Sequence, residues 1–437
     1  MIVGPRIIGH DTGMNLTPPM PPFPSSKRET MTPRERVLAA IHHQTPDRVP
    51  IDLGGNQTGI HKSAYLALLK HLGLHDDAEN GDVGNNAEDG GIENNAENSG
   101  VKIMDAVQQL AQPCEALLER FHVDTRYIAA GAAADFQGGI VQNRREGRLW
   151  HDLTDEFGVT WSMPDDHPLY MDISHHPLAN ATIRDIADYP FPKGDDPGRF
   201  VGLRQRALKL RNETPYAVVS GISGVVYETC WYLRGLEQWF VDLLTQPEFC
   251  EALLDQTLKF WMDWFRVFCR EVGVLVDVVM IGDDLAGQTG PLFRPEIYRS
   301  IVKPRQKKLV QFIHEHTPAK IWYHTCGACM PYISDLLDNG VDILNPVQIS
   351  AKDMDPAVLK REFGDRIVFW GGAIDTQHVL PSASPETVRR HVAQNLEIWK
   401  PGGGYVFNNV HNLQAGVPPE NITALFDAAY EFGFYDK

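Results

Sequence analysis

The stretch "HTCGAC" places His324, Cys326 and Cys329 within six positions at the end of an apolar run. Three chemistries suit those residue types: a metal centre, a redox dithiol, or buried scaffold. In an extended strand, residues two apart share a face, so His324 and Cys326 point one way and Thr325 the other. Zinc accepts imidazole and thiolate together, and a catalytic zinc site takes three protein ligands and keeps a fourth position open. Cys329 lies three residues further on, past Gly327, where a turn into a helix could bring its sulfur near the same point. Cys-Gly-Ala-Cys at a strand-to-helix turn is also where a disulfide oxidoreductase carries its dithiol. On these residues alone the three readings stay open.

The elements around the stretch say what it faces. Eight apolar or β-branched runs occur at residues 48–55, 123–131, 215–224, 276–285, 320–327, 342–348, 366–375 and 403–411. Amphipathic segments such as "PRQKKLVQFIHEH" and "SPETVRRHVAQNLEIWK" separate them. Alternation of this kind predicts a parallel α/β fold, and eight is the strand number of a TIM-type (β/α)8 barrel. A doubly wound open sheet is the competing topology; no Gly-x-Gly-x-x-Gly follows the first run. In a barrel the chemistry belongs at the C-terminal strand ends. Polar residues gather there: Asn56 and Gln57 after the first run, Asp283 and Asp284 at the fourth, His324 and Cys326 at the fifth. Asn345 and Gln348 follow at the sixth, Asp375 at the seventh, and Asn408, Asn409 and His411 at the eighth. Asn56, Gln57, Asn345, Gln348, Asp375 and Asn409 are therefore candidates for substrate binding.

The chain has 437 residues and a net charge of −17, which argues against a general binder of nucleic acid or acidic membranes. Eight of its acids lie in residues 75–100, with no Lys or Arg among them. So polar a segment cannot bury enough apolar surface to offset its ordering entropy, and a disordered acidic insertion is expected over residues 75–102. Residues 1–30 read as a Pro-rich tail and residues 31–437 as the barrel, with residues 135–200 lengthening the loop after the second run. No stretch approaches the roughly 20 apolar residues of a membrane span. Six cysteines are few for this length and fit no secreted disulfide framework, so reduced thiols and a cytoplasmic location are expected.

Several motifs together resemble the uroporphyrinogen decarboxylase superfamily: "TPRERVLAAIHHQTPDRVPI", "DEFGVTW", "GLEQWFVDLLTQPEF", "GDDLAGQTGPLFRPEIYRSIVKP", "HTCGACMPYISDLLDNGVDILNPVQ" and "VPPENITALFDAAYEFG". Within it the chain is most similar to the zinc-dependent corrinoid methyltransferase branch. Decarboxylases of the superfamily hold substrate propionates with arginine after the first strand and the pyrrole nitrogens with aspartate near the end of the second. Here those places read "LGGNQTGIHKSAY" and "RYIAAGAAAD", without the arginine and with small residues before Asp135. The resemblance to the methyltransferases implies zinc held by His324, Cys326 and a third ligand after the eighth strand. That ligand is usually cysteine; His411 stands there, with Cys329 as the alternative. Tyr232 also matches a family position, and Asp283 or Asp284 is implied as the group that takes a thiol proton or orients a ligand histidine. No Asp-x-His-x-x-Gly signature occurs, so the resemblance implies a corrinoid carried by a separate protein, with a small-molecule methyl donor or acceptor and a homodimer as in relatives. Uroporphyrinogen decarboxylation and a non-catalytic metal-binding barrel are the alternatives.

Overall fold

The computed structural model describes residues 29–76 and 101–435. The Pro-rich start and the acidic segment expected as an insertion fall, but for their edges, outside these residues.

Seven parallel strands form one sheet in chain order: β1 (Thr125–Ile128), β2 (Ala217–Gly221), β3 (Val278–Gly282), β4 (Lys320–His324), β5 (Ile343–Asn345), β6 (Val368–Trp370) and β7 (Tyr405–Val406). All seven come from the expected runs. The first run makes no ladder of its own. Asp52 N–H donates to Phe407 O at 2.9 Å, Phe407 N–H to Pro50 O at 2.8 Å, and Asp124 N–H to Ile51 O at 2.8 Å. Residues 50–52 thus bridge β7 to the chain entering β1 and close the sheet into a barrel. Pro50 has no N–H to give, which limits the run to isolated bridges instead of a strand.

The period of two decides which side chains the barrel encloses. Ala217, Val219, Val278, Met280, Trp322, Ile343, Val368, Trp370 and Val406 form one buried cluster inside it. Val218, Val279, Ile281, Ile321, Tyr323, Leu344, Phe369 and Tyr405 pack outward against the helices. Val37, Ala40 and Ile41 of the helix Pro33–Ile41 join the inner cluster, so this helix stoppers the barrel at its N-terminal end. Thr32 and Glu35 start it with a reciprocal capping box, and Arg36 anchors it through Asp47 and Asp124. Carried one step further, the inward parity delivers Asp284, His324, Asn345 and Asn408 to the open end of the barrel. Asp283 is left facing out.

Residues 140–175, expected only as part of a lengthened loop, form a four-stranded antiparallel sheet: Ile140–Arg145, Arg148–Thr154, Thr160–Pro164 and Asp172–His175. Trp161 of its third strand packs edge-on against Tyr232, ring centroids 5.2 Å apart. No helix among the described residues is long and apolar enough to cross a membrane.

Candidate metal centre

One ligand atom each from His324, Cys326 and His411 lies within 4.8 Å of the other two. His324 ends β4, and its Nε2 is 3.4 Å from Cys326 Sγ. The His324 and His411 rings meet edge to face with centroids 5.1 Å apart. Cys329 is not in this group. It is fully buried among apolar side chains at the start of the helix Met330–Asn339, and burial pushes its thiol up to about 12. The alternative third ligand is therefore displaced by His411, and all six cysteines are free thiols, so Cys326 and Cys329 form no disulfide.

The segment carrying the first two ligands is pinned residue by residue. His324 O accepts from Asp283 N–H at 3.0 Å, and Thr325 N–H donates to Asn345 O at 2.7 Å. Cys326 N–H donates to Asp284 Oδ1 and Gly327 N–H to Gln348 Oε1, each at 2.7 Å. Gly327 has φ +82°, and a Cβ there would stand 2.5 Å from Gly287 O, so only glycine makes this turn against the neighbouring loop.

The electrostatics suit ligation. Burial lowers the His324 pKa to about 4, against a raising contribution from its bond to Asn345. Burial and His324 likewise hold His411 well below the ordinary value. Both imidazoles are neutral at physiological pH, the form that binds metal. The Cys326 thiol is pushed far up by burial and by the Asp284 and Glu228 carboxyls, so a bare thiolate is disfavoured there. A divalent cation reverses that balance, because it stabilises the thiolate directly. Two imidazoles and a thiol at this spacing form a donor set that zinc accepts.

The other expected site residues divide into four groups. Asp284 faces the mouth beside Cys326, and burial raises its carboxyl pKa. Tyr232 also lies there, its ring between Trp231 at 4.3 Å and Trp161 at 5.2 Å. Asn345, Gln348 and Asn409 are engaged with the ligands themselves: Asn345 with the His324 ring, Gln348 with Gly327, and Asn409 Nδ2 with His411 O. Asp283 and Asp375 correct the expectation. Asp283 is fully buried and accepts from Tyr227 N–H, Glu228 N–H and Gln306 Nε2, because the strand's alternation turns it away from the mouth. Asp375 accepts from the amides of Gln377 and His378 and so closes its own turn. Asn56 and Gln57 each bury a side-chain oxygen that has no partner.

Glu228, which the sequence reading passed over, lies in the same mouth. It opens the helix Glu228–Arg234 with 8% exposure. A Cβ on Gly224 would be 3.4 Å from its Oε2 and 3.2 Å from Tyr232 Oη, so the two groups flank one backbone point. Burial, then Asp284 and Asp283, raise its carboxyl far above the ordinary range. The one available signal was a single acid set inside the apolar run "VVYETCWY".

Known proteins match this chain in sequence and in fold. A family model described as uroporphyrinogen decarboxylase (URO-D) matches residues 155–432. The uroporphyrinogen decarboxylase of Pseudoalteromonas translucida is 34% identical over 281 residues, 60% of this chain and 73% of that protein. That of Alkalilimnicola ehrlichii is 23% identical over 283 residues, 62% of this chain and 70% of the relative. Among solved structures, a methyltransferase from Methanosarcina mazei superposes with a TM-score of 0.57, covering 92% of this chain and 99% of that one at 17% identity. At that identity the superposition speaks for the fold.

Proposed function

We propose, from the premise that this chain belongs to the uroporphyrinogen decarboxylase family, that it is a zinc-dependent methyltransferase, moving a methyl group between a corrinoid protein and a thiol or other small acceptor. The observation that carries the reading is the convergence of His324, Cys326 and His411 at the open end of the barrel. His324 Nε2, Cys326 Sγ and a His411 ring nitrogen would hold the ion. Zinc supplies Lewis acidity there, favouring the thiolate of a bound thiol at neutral pH.

The chain's own groups perform the rest. Cys326 must give up its proton to become a ligand, and the Asp284 carboxyl lies beside it to receive that proton. Asp284 is equally placed to take the proton of an incoming thiol. Tyr232, Trp231 and Trp161 give the mouth an aromatic wall.

The names of the curated relatives favour decarboxylation, and the chemistry of the mouth weighs against it. The charges acting most strongly on Glu228 and Cys326 are carboxylates. A polycarboxylate needs fixed cations to hold it, and the groups acting most strongly in this mouth are acids.

Purified protein with methylcobalamin and a small thiol tests the reading. Demethylation of the cobalamin, followed by its visible spectrum, is expected in the zinc-loaded wild type and lost in Cys326→Ala. Zinc-loaded protein that leaves methylcobalamin intact across a panel of thiols, yet converts uroporphyrinogen to coproporphyrinogen, would replace methyl transfer by decarboxylation.

A further inference from the structure

We infer that three carboxamides, Asn345, Gln348 and Asn409, form a positioning ring that presets the triad in the metal-free protein, with Asn345 selecting which nitrogen of His324 is offered. The ring rests on the proposed function only for the identity of the ion; the arrangement of the side chains stands by itself.

Asn345 carries the inference furthest. Its side chain lies between two partners of different character. Trp370 O, a carbonyl that can only accept, is 3.0 Å from Nδ2. The amide can therefore sit only one way round, and Oδ1 faces His324 Nδ1 at 2.7 Å. An amide oxygen only accepts, so His324 Nδ1 carries the proton and donates it. In the neutral ring, the form that binds a metal, this leaves the lone pair on Nε2, and Nε2 is the nitrogen facing Cys326 Sγ. One side-chain amide on β5 thus sets both the tautomer and the ring orientation of the ligand at the end of β4.

The other two carboxamides act on the backbone of the remaining ligands. Gln348 Oε1 accepts from Gly327 N–H, the residue after Cys326, and holds the turn that aims the sulfur. His411 has φ +60°, the left-handed region that a residue bearing a β-carbon rarely adopts. Asn409 Nδ2 donates to His411 O from two residues away and holds the chain in that conformation. Each of the three ligands is therefore served by one carboxamide. In the sequence all three pass equally for substrate contacts, since a side chain at a strand end looks the same whether it faces a substrate or a neighbouring ligand.

The test separates the ring from the activity. Long-range proton–nitrogen correlation spectra of the uniformly nitrogen-15-labelled, metal-free wild type report the tautomer of His324 directly. A neutral ring with its proton on Nδ1 is expected, and a proton on Nε2 would overturn the inference. Zinc affinity, measured by competition with a chromophoric chelator, is expected to fall about 10–100-fold in Asn345→Leu. Asn345→Asp, which keeps an acceptor opposite Nδ1, is expected to restore both the tautomer and most of the affinity. A folded Asn345→Leu that binds zinc as tightly as wild type, with the tautomer unchanged, would likewise overturn it. Should that variant fail to fold, the wild-type spectrum and the aspartate variant decide. A wild type that binds no zinc defeats the proposed function, and the nitrogen spectrum then judges the ring by itself.

Discussion

Replacing Asp283 by alanine takes one acceptor away from three buried donors. Tyr227 N–H and Glu228 N–H each lie 2.9 Å from its Oδ1, and Gln306 Nε2 lies 2.8 Å from its Oδ2. A buried donor left unpaired costs about 1–3 kcal/mol. The three share one side chain, and relaxation of the helix start reduces their sum, so Asp283→Ala is expected to destabilise by about 3–5 kcal/mol. That is at the upper end for a single substitution. Asp283→Asn keeps Oδ1 for the two amides, and Gln306 can turn its own amide to match, so its cost is expected to be about 1 kcal/mol. Denaturant unfolding followed by tryptophan fluorescence measures both, alongside zinc content. The folded fraction of either variant is expected to bind zinc at wild-type stoichiometry. An Asp283→Ala protein as stable as wild type but without methyl transfer would refute the reasoning, because it would place Asp283 in the reacting machinery.

Three other outcomes are expected. The Asp47 carboxyl is buried, which works against ionisation, yet Arg36 and the amides of Met31 and Thr30 outweigh burial and hold it down at about 2. Its folded pKa lies below the ordinary 3.8, so the stability it contributes is present above about pH 4 and is lost as pH falls through about 2; acid titration of Asp47→Asn should show a shallower loss across that window. A Cβ on Gly282 would stand 2.4 Å from His324 O and 2.6 Å from His324 Cβ, so Gly282→Ala should lose most of its zinc by elemental analysis while its helix signal survives; full retention would show that the strand yields without moving the ligand. Cys329→Ser should keep its zinc, and a loss as large as that of Cys326→Ala would bring the second thiol back into the site.

Much of the barrel could be read from the chain because its signal is periodic. Seven of the eight runs became strands, since β-branched and apolar residues gathered over seven to ten positions leave few other solutions. The first run carried the same composition, but Pro50 reduced it to bridges, an effect of one missing donor that hydrophobicity does not register. His324 and Cys326 were legible as a pair from their spacing. Asp283 and Asp284 were not told apart, although parity could have done so: Gly282 pairs with His324 across β3 and β4, and Asp284 continues the inward series. The role of the carboxamides was not legible for a different reason. Whether Asn345 meets a substrate or a histidine depends on the register of β4 against β5, which composition does not specify. Glu228 reaches the mouth from a helix beyond the end of β2, so no strand-end rule could find it.

The central claim is that His324, Cys326 and His411 together hold one zinc ion. Zinc content per chain, by elemental analysis of wild type beside His324→Ala, Cys326→Ala and His411→Ala, with far-ultraviolet circular dichroism on the same samples, tests it most directly. One equivalent in the wild type is expected, with loss of most of it in all three variants at unchanged helix signal, because the ligands lie at strand ends above the packed interior. One equivalent retained in all three variants would contradict the account and leave the triad as packed scaffold.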